Sequence, residues 1–140
     1  MAMTLSQFFQ SCKVLPDSIK SHTLQQFRQV FSSQEAKDAK NVVYAFVCEK
    51  KIPRVNSKSA VIYIGKTKQN LTNRYMPFAE TFCSGKNRLL YNYIIAHYGG
   101  IRIAYLPFDT AKSLKRAETE LLNDYYKLHK EYPPQNFQRG

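Results

Sequence analysis

The stretch Val61-Ile62-Tyr63-Ile64-Gly65-Lys66-Thr67, with Arg74 nine residues beyond the glycine, decides how the rest of the chain is read. Its apolar, β-branched run has the length of a short buried strand. Gly65 ends it where a ligand or another backbone can approach closely, and a plain turn would accept the same glycine. Tyr63, Lys66 and Arg74 are delivered to one small region, and hydroxyl, ammonium and guanidinium groups all suit phosphate oxygens. Tyrosine is also common in strands, so core packing with a wet hydroxyl is the plainer reading of Tyr63 alone.

A second apolar run, Val42-Val43-Tyr44-Ala45-Phe46-Val47-Cys48, lies upstream, and the pair predicts an antiparallel hairpin joined by an eleven-residue connector, 49–59. Alternation sets Val42, Tyr44 and Phe46 on one face and Val61, Tyr63 and Gly65 on one face, so both hydroxyls can reach one site. The connector carries Lys50, Lys51, Arg54 and Lys58. With Lys68 these are candidate nucleic-acid contacts, and solubility alone is the competing use of a basic loop. Downstream, Leu71, Tyr75, Phe78 and Phe82 have helical spacing interrupted by Pro77. Asn87 then opens a helix with Leu90, Tyr93, Ile94 and His97 on one side, stopped by Gly99-Gly100. A third strand is expected at 101–106, followed by a long helix capped by Asp109 or Thr110 and running to about Lys130. Residues 4–31 read as two helices parted by Pro16-Asp17, and 32–41 as a polar connection. The expected fold is α+β: a small three-stranded antiparallel sheet flanked by helices over 41–140, preceded by an N-terminal helical extension, 1–40.

Composition narrows the function. Hydrophobic residues make up 44% and aromatics 14% of the 140 residues, which excludes a disordered tail. Twenty-one Lys and Arg against ten Asp and Glu leave a net charge of +11, which favours a polyanionic partner. Residues 1–40 contribute only +2, whereas the span from Lys50 to Arg88 holds nine basic residues against Glu80 alone, a net of +8. The three cysteines form no CxxC pair and the histidines are scattered, which argues against a zinc site and for reduced thiols. No apolar run approaches a membrane span, and the first residues lack a signal peptide's pattern. The expectation is a soluble, cytoplasmic protein with no membrane partner.

The last helix offers a separate clue. At about 100° per residue, Ala111, Leu114, Leu121, Leu122 and Tyr125 all fall within about 60° of Glu118, which places it in the middle of the apolar stripe. Glu120 falls opposite, where a solvated carboxylate belongs. Burying an unpaired carboxylate costs on the order of 3–5 kcal/mol, so a cation, a hydrogen-bond set or a metal ion must compensate at Glu118.

In this order, these residues resemble the GIY-YIG nuclease family. Tyr44 matches the first-strand tyrosine, Tyr63-Ile64-Gly65 the second motif, Lys66 the adjacent lysine and Arg74 the helix arginine. The segment around Glu118 is similar to the helix with the metal-binding glutamate, and Pro133-Pro134-Gln135-Asn136 to the closing motif. Val42-Val43-Tyr44 lacks the first motif's glycine, and Phe78 stands where many members carry a histidine. The resemblance implies a divalent-metal-dependent DNA endonuclease, with double-stranded DNA as substrate. Glu118 would hold one Mg²⁺ or Mn²⁺, and Arg74 would grip a phosphate oxygen. Tyr44 would act as general base with its pKa lowered by Lys66 and the basic surroundings, Tyr63 would position water or phosphate, and Asn136 would fix the site. Cutting both strands would call for a homo-oligomer, built through the N-terminal helices. The rival is a catalytically silent nucleic-acid-binding module of the same fold.

Overall fold

The computed structural model describes residues 2–84 and 87–136; Lys86, counted in the basic span, lies outside them. The hairpin forms, but its strands are longer than their apolar runs. Strand β2 covers Val42–Pro53 and β3 covers Lys58–Thr67. Only residues 54–57 turn the chain, closed by Arg54 N–H donating to the Ser57 carbonyl at 3.0 Å, with Ser57 at φ 66°. The expected eleven-residue loop is therefore strand for most of its length: Ile52 and Pro53 pair with Ser59 and Lys58, after an irregular stretch between Val47 and Ile52.

Strand β4, Arg102–Pro107, joins the other edge of β2, with Tyr44 opposite Tyr105. A fourth strand follows. Lys13–Val14 (β1) pairs antiparallel with β4, giving the order β1-β4-β2-β3. The sheet is four-stranded rather than three-stranded, and the reason is physical: β1 is two residues long with both side chains exposed, so it shows no hydrophobic period. Its neighbours hold it, through Leu15 N–H to Ile103 O at 3.0 Å and a further bridge between Ile19 and Ile101. Residues 4–31 are accordingly not two helices alone. Helix α1 (Leu5–Ser11) stops before β1, and α2 (Leu24–Phe31) starts behind the Thr23 cap. The expected polar connection contains α3 (Gln34–Asp38), capped by Ser33.

Helices cover both faces of this α+β sheet, which explains why residues 42–48 are apolar without interruption. On the first face, α2, α4 (Leu71–Tyr75), α5 (Ala79–Cys83) and α6 (Asn87–Tyr98) pack over Tyr44, Phe46 and Ile62. Phe27 is fully buried here, its ring 4.5 Å from Phe82 and 4.8 Å from Phe31. Each such side chain contributes about 1.5–3 kcal/mol by burial. In α6 the buried positions are Tyr91 and Ile94; Tyr93 and His97, expected on that side, are exposed and stack on each other at 4.3 Å.

On the second face, α1 and α7 (Ala111–His129) pack over Val43, Ala45, Val61 and Ile64. Thr110 caps α7 in a capping box, and Lys130 ends it at φ 62°. A bulge in β3 decides which side chains go where. Phe46 faces Tyr63 while Val47 faces Val61, leaving Ile62 as the extra residue. Tyr63 and Ile62 thus lie on the first face and Val61 on the second, against the simple alternation of Val61 with Tyr63. Among the described residues, no helix is long and apolar enough to cross a membrane.

Candidate functional site

Tyr44 stands at the middle of the sheet, directly opposite Gly65 on β3. The ring centroids of Tyr44 and Tyr63 are 6.0 Å apart. Both rings lie over the glycine: a Cβ there would come within 2.6 Å of the Tyr63 ring and 2.8 Å of the Tyr44 ring and hydroxyl. Gly65 is therefore required by the two tyrosines rather than by a turn.

Helix α4 begins behind the Asn70 cap and buries Leu71 and Tyr75, one turn apart, against the first face. That anchoring presents Arg74 beside them. Its guanidinium lies 4.7 Å from the Tyr75 ring centroid, a cation–π contact. The Tyr75 and Tyr44 hydroxyls share a hydrogen bond of 2.5 Å. Tyr63, Arg74, Tyr75, Phe78, Tyr91 and Gln135 enclose a cavity of about 160 Å³. Gln135 Nε2 is buried there without a hydrogen-bond partner among the described residues. A buried donor of this kind is rare in native proteins and marks a place where an acceptor can bind.

Asn136 serves the same corner through backbone. Its amide oxygen accepts from Ile64 N–H and its amide nitrogen donates to Ile64 O, both at 2.9 Å. Strand β3 is an edge, and this pair of bonds closes it as a neighbouring strand would. Three residues that sequence reasoning missed complete the cavity: Tyr75, Tyr91 and Gln135. Tyr75 follows Arg74 and Gln135 precedes Asn136, so adjacency was their only signal.

Electrostatics in the cavity run against one expectation. Burial first, and Tyr63 second, push the Tyr44 hydroxyl well above the ordinary tyrosine range. Burial does the same to Tyr75, with Tyr44 next in effect. Lowering by Lys66 fails for geometric reasons. Lys66 faces Val43, whose side chain is in the second core, so it lies on the other side of the sheet from the tyrosines. Burial raises the Tyr44 pKa by more than the Tyr75 hydrogen bond and Arg74 lower it, so the environment favours the neutral hydroxyl.

Glu118 is half-buried on α7 and does not line the tyrosine cavity. Leu114, Leu121, Leu122 and Tyr125 are buried on either side of Glu118 as expected, while Ala111 is exposed and Ala117 buried, so the stripe contains Glu118 with its centre shifted toward Ala117. Glu120, expected in solvent, accepts a hydrogen bond from Met3 N–H at 3.0 Å and lies 3.6 Å from Arg116. Among the described residues, no three His, Cys, Asp or Glu side chains come together as a metal cluster.

No family model, curated protein or solved structure matches this chain. The candidate site accordingly stands on its own geometry. Of the expected nucleic-acid contacts, Lys50, Lys51, Lys58 and Lys68 are exposed. Arg54 is committed elsewhere. Its Nη2 is 2.9 Å from Glu131 and donates to the Tyr132 carbonyl at 2.8 Å, with the side chain 12% exposed. Asn56 extends this clasp to the end of α7 by donating to Leu128 O at 2.8 Å.

Proposed function

We propose that this chain is a GIY-YIG-type endonuclease that hydrolyses phosphodiester bonds in double-stranded DNA. The observation that carries the reading is that Tyr63, packed with Tyr44 over a glycine whose Cβ has no room, also lines a cavity with Arg74. A phosphate entering the cavity would meet the Arg74 guanidinium, whose planar fork matches two phosphate oxygens. Stacking on Tyr75 limits the directions that fork can take, so charge developing on the phosphate is met without reorganisation. Tyr63 orients the attacking water or a phosphate oxygen, and Tyr44, neutral and bonded to Tyr75, fixes the ring cluster behind it. Gln135 offers its unused donor to the same group. One Mg²⁺ or Mn²⁺ held by Glu118, which is on α7 and not on the cavity wall, would supply charge neutralisation to a phosphate lying between that helix and Arg74.

Cutting both strands from one such site calls for two copies of the chain. Phe9 and Val14, at 38% and 45% exposure, are the apolar side chains of the N-terminal segment that such a contact would cover. The free cysteines Cys12, Cys48 and Cys83 suit a reducing cytoplasm. A second reading, a silent DNA-binding module, is favoured by one observation: Glu118 rides on the second face, outside the cavity.

Supercoiled plasmid with Mg²⁺ separates the two. The nuclease produces nicked or linear DNA, and Glu118→Gln or chelation lowers the rate by on the order of 100-fold or more. Binding without cleavage by the folded wild-type chain would leave the binding module as the correct reading.

A further inference from the structure

Lys66 does not belong to the tyrosine cavity, and its actual surroundings are informative. With Thr67, Lys68, Ala111, Leu114 and Lys115 it lines a surface cavity of about 390 Å³ between the end of β3 and the start of α7. An adjoining cavity of about 590 Å³ shares Lys115 and continues along Lys112, Arg116, Thr119 and Glu120. Lys112, Lys115, Arg116 and Thr119 follow helical spacing and are all exposed, so they form one row along α7.

The row is strongly one-signed. The first turn of α7 has no acidic residue, and the Glu120 carboxylate is shared with Met3 N–H and Arg116. The groove beside β1 shows the ordinary alternative, mixing Lys13 and Lys40 with Glu35 and Asp38. Like charges one turn apart destabilise a helix by about 0.2–0.5 kcal/mol per pair, a cost that a polyanion relieves.

We propose that Lys66, Lys68, Lys112, Lys115 and Arg116 form a docking strip for the sugar–phosphate backbone of double-stranded DNA. This deepens the nuclease reading and rests on it. Lys66 is then a binding residue for a phosphate that does not react. Lys115 lies one helical turn before Glu118, so DNA held on the strip passes beside that carboxylate. From Lys112 to Thr119 the helix advances about 10 Å. That matches the rise of roughly three nucleotides on one strand, and so two or three phosphate contacts.

The test is fluorescence anisotropy of a labelled DNA duplex in chelator, titrated at several salt concentrations, with the full chain. In Lys112→Gln/Lys115→Gln, the slope of log affinity against log salt becomes shallower by about 1.8, at 0.9 for each lost phosphate. Affinity in 0.1 M salt falls on the order of tenfold per contact. Lys112→Arg/Lys115→Arg keeps the wild-type slope. Lys37→Gln/Lys40→Gln removes the same charge from exposed positions on α3 and the loop after it, and leaves the slope nearly unchanged. The strip is refuted by an unchanged slope in the α7 variant, by an equal loss in the α3 control, or by absence of duplex binding in the wild type. Plasmid cleavage with an unchanged slope refutes the strip alone, whereas a shallower slope without cleavage refutes the nuclease alone.

Discussion

The two ends of the β2–β3 hairpin are each attended by an arginine, and the fold uses them in opposite ways. At the turn, Arg54 is closed in by Glu131 and the Tyr132 carbonyl, and the neighbouring Asn56 and His129 bond each other's backbone. The Arg54 guanidinium there is answered within the chain by a carboxylate and a carbonyl. At the other end, Arg74 is stacked on an aromatic face beside a cavity that also holds an unused amide donor. One end is closed by an ion pair within the chain, though Arg54 Nε is buried without a partner among the described residues; the other opens on a cavity lined by Arg74 and a buried amide donor. Cationic residues alone do not locate a binding site, and the commitment of each to a partner inside the chain decides its use.

Substitutions can break or sharpen that contrast. The largest effect is expected for Arg74→Ala, which should lower the DNA cleavage rate by about 10²–10³-fold. Stability should stay within about 1 kcal/mol, since the side chain is only half-buried. Equal losses of rate and stability would make Arg74 structural, like its counterpart. Arg54→Ala should do the reverse. Removing a partly buried, charge-assisted partner of Glu131 is expected to cost about 1.5–3 kcal/mol in urea denaturation. Cleavage per folded molecule should be unchanged, and a selective loss of activity would return Arg54 to the DNA contacts.

Gly65→Ala tests why the open end has its shape. The added Cβ meets two rings at 2.6 and 2.8 Å, and such overpacking typically costs about 1–3 kcal/mol. The pair Gly65→Ala/Tyr63→Phe should recover little of it, because the ring remains. Full recovery would place the conflict at the hydroxyl. The smallest effect concerns pH. Tyr44 and Tyr75 are raised chiefly by burial, so the native state keeps protons that the unfolded chain releases above about pH 10. Stability is full below that pH and falls as pH rises, by up to about 1.4 kcal/mol per unit for each tyrosine. Tyr75→Phe should flatten this alkaline slope, and an unaltered slope would show that its hydroxyl ionises as if exposed.

Much of this fold was readable from local pattern. The hairpin, the strand after Gly100, the Thr110 cap and the long last helix all announce themselves through periodicity and capping chemistry that act within a few residues. The placing of Tyr44 and Tyr63 on one face was readable in part for the same reason, since alternation along a strand is a local rule that holds from Tyr63 to Gly65. Three things were not. Strand β1 has no hydrophobic signal and is held only by β4. The extra residue Ile62 shifts Val61 to the other face, which depends on the register of two strands. The commitment of Arg54 depends on Glu131, distant in sequence.

By itself, the amino-acid sequence determined which residue types are available for phosphate chemistry and which segments carry a helix or strand period. Tertiary structure alone decided which of those residues share a space. It set Tyr44 and Tyr63 on one face of the sheet, with Arg74 lining a cavity beside Tyr63, and moved Lys66 to the other. It also buried Tyr44 and Tyr75, which favours their neutral hydroxyls. The physical reason is that propensity and capping are set by neighbours along the chain, whereas burial and ion pairing are set by neighbours across it.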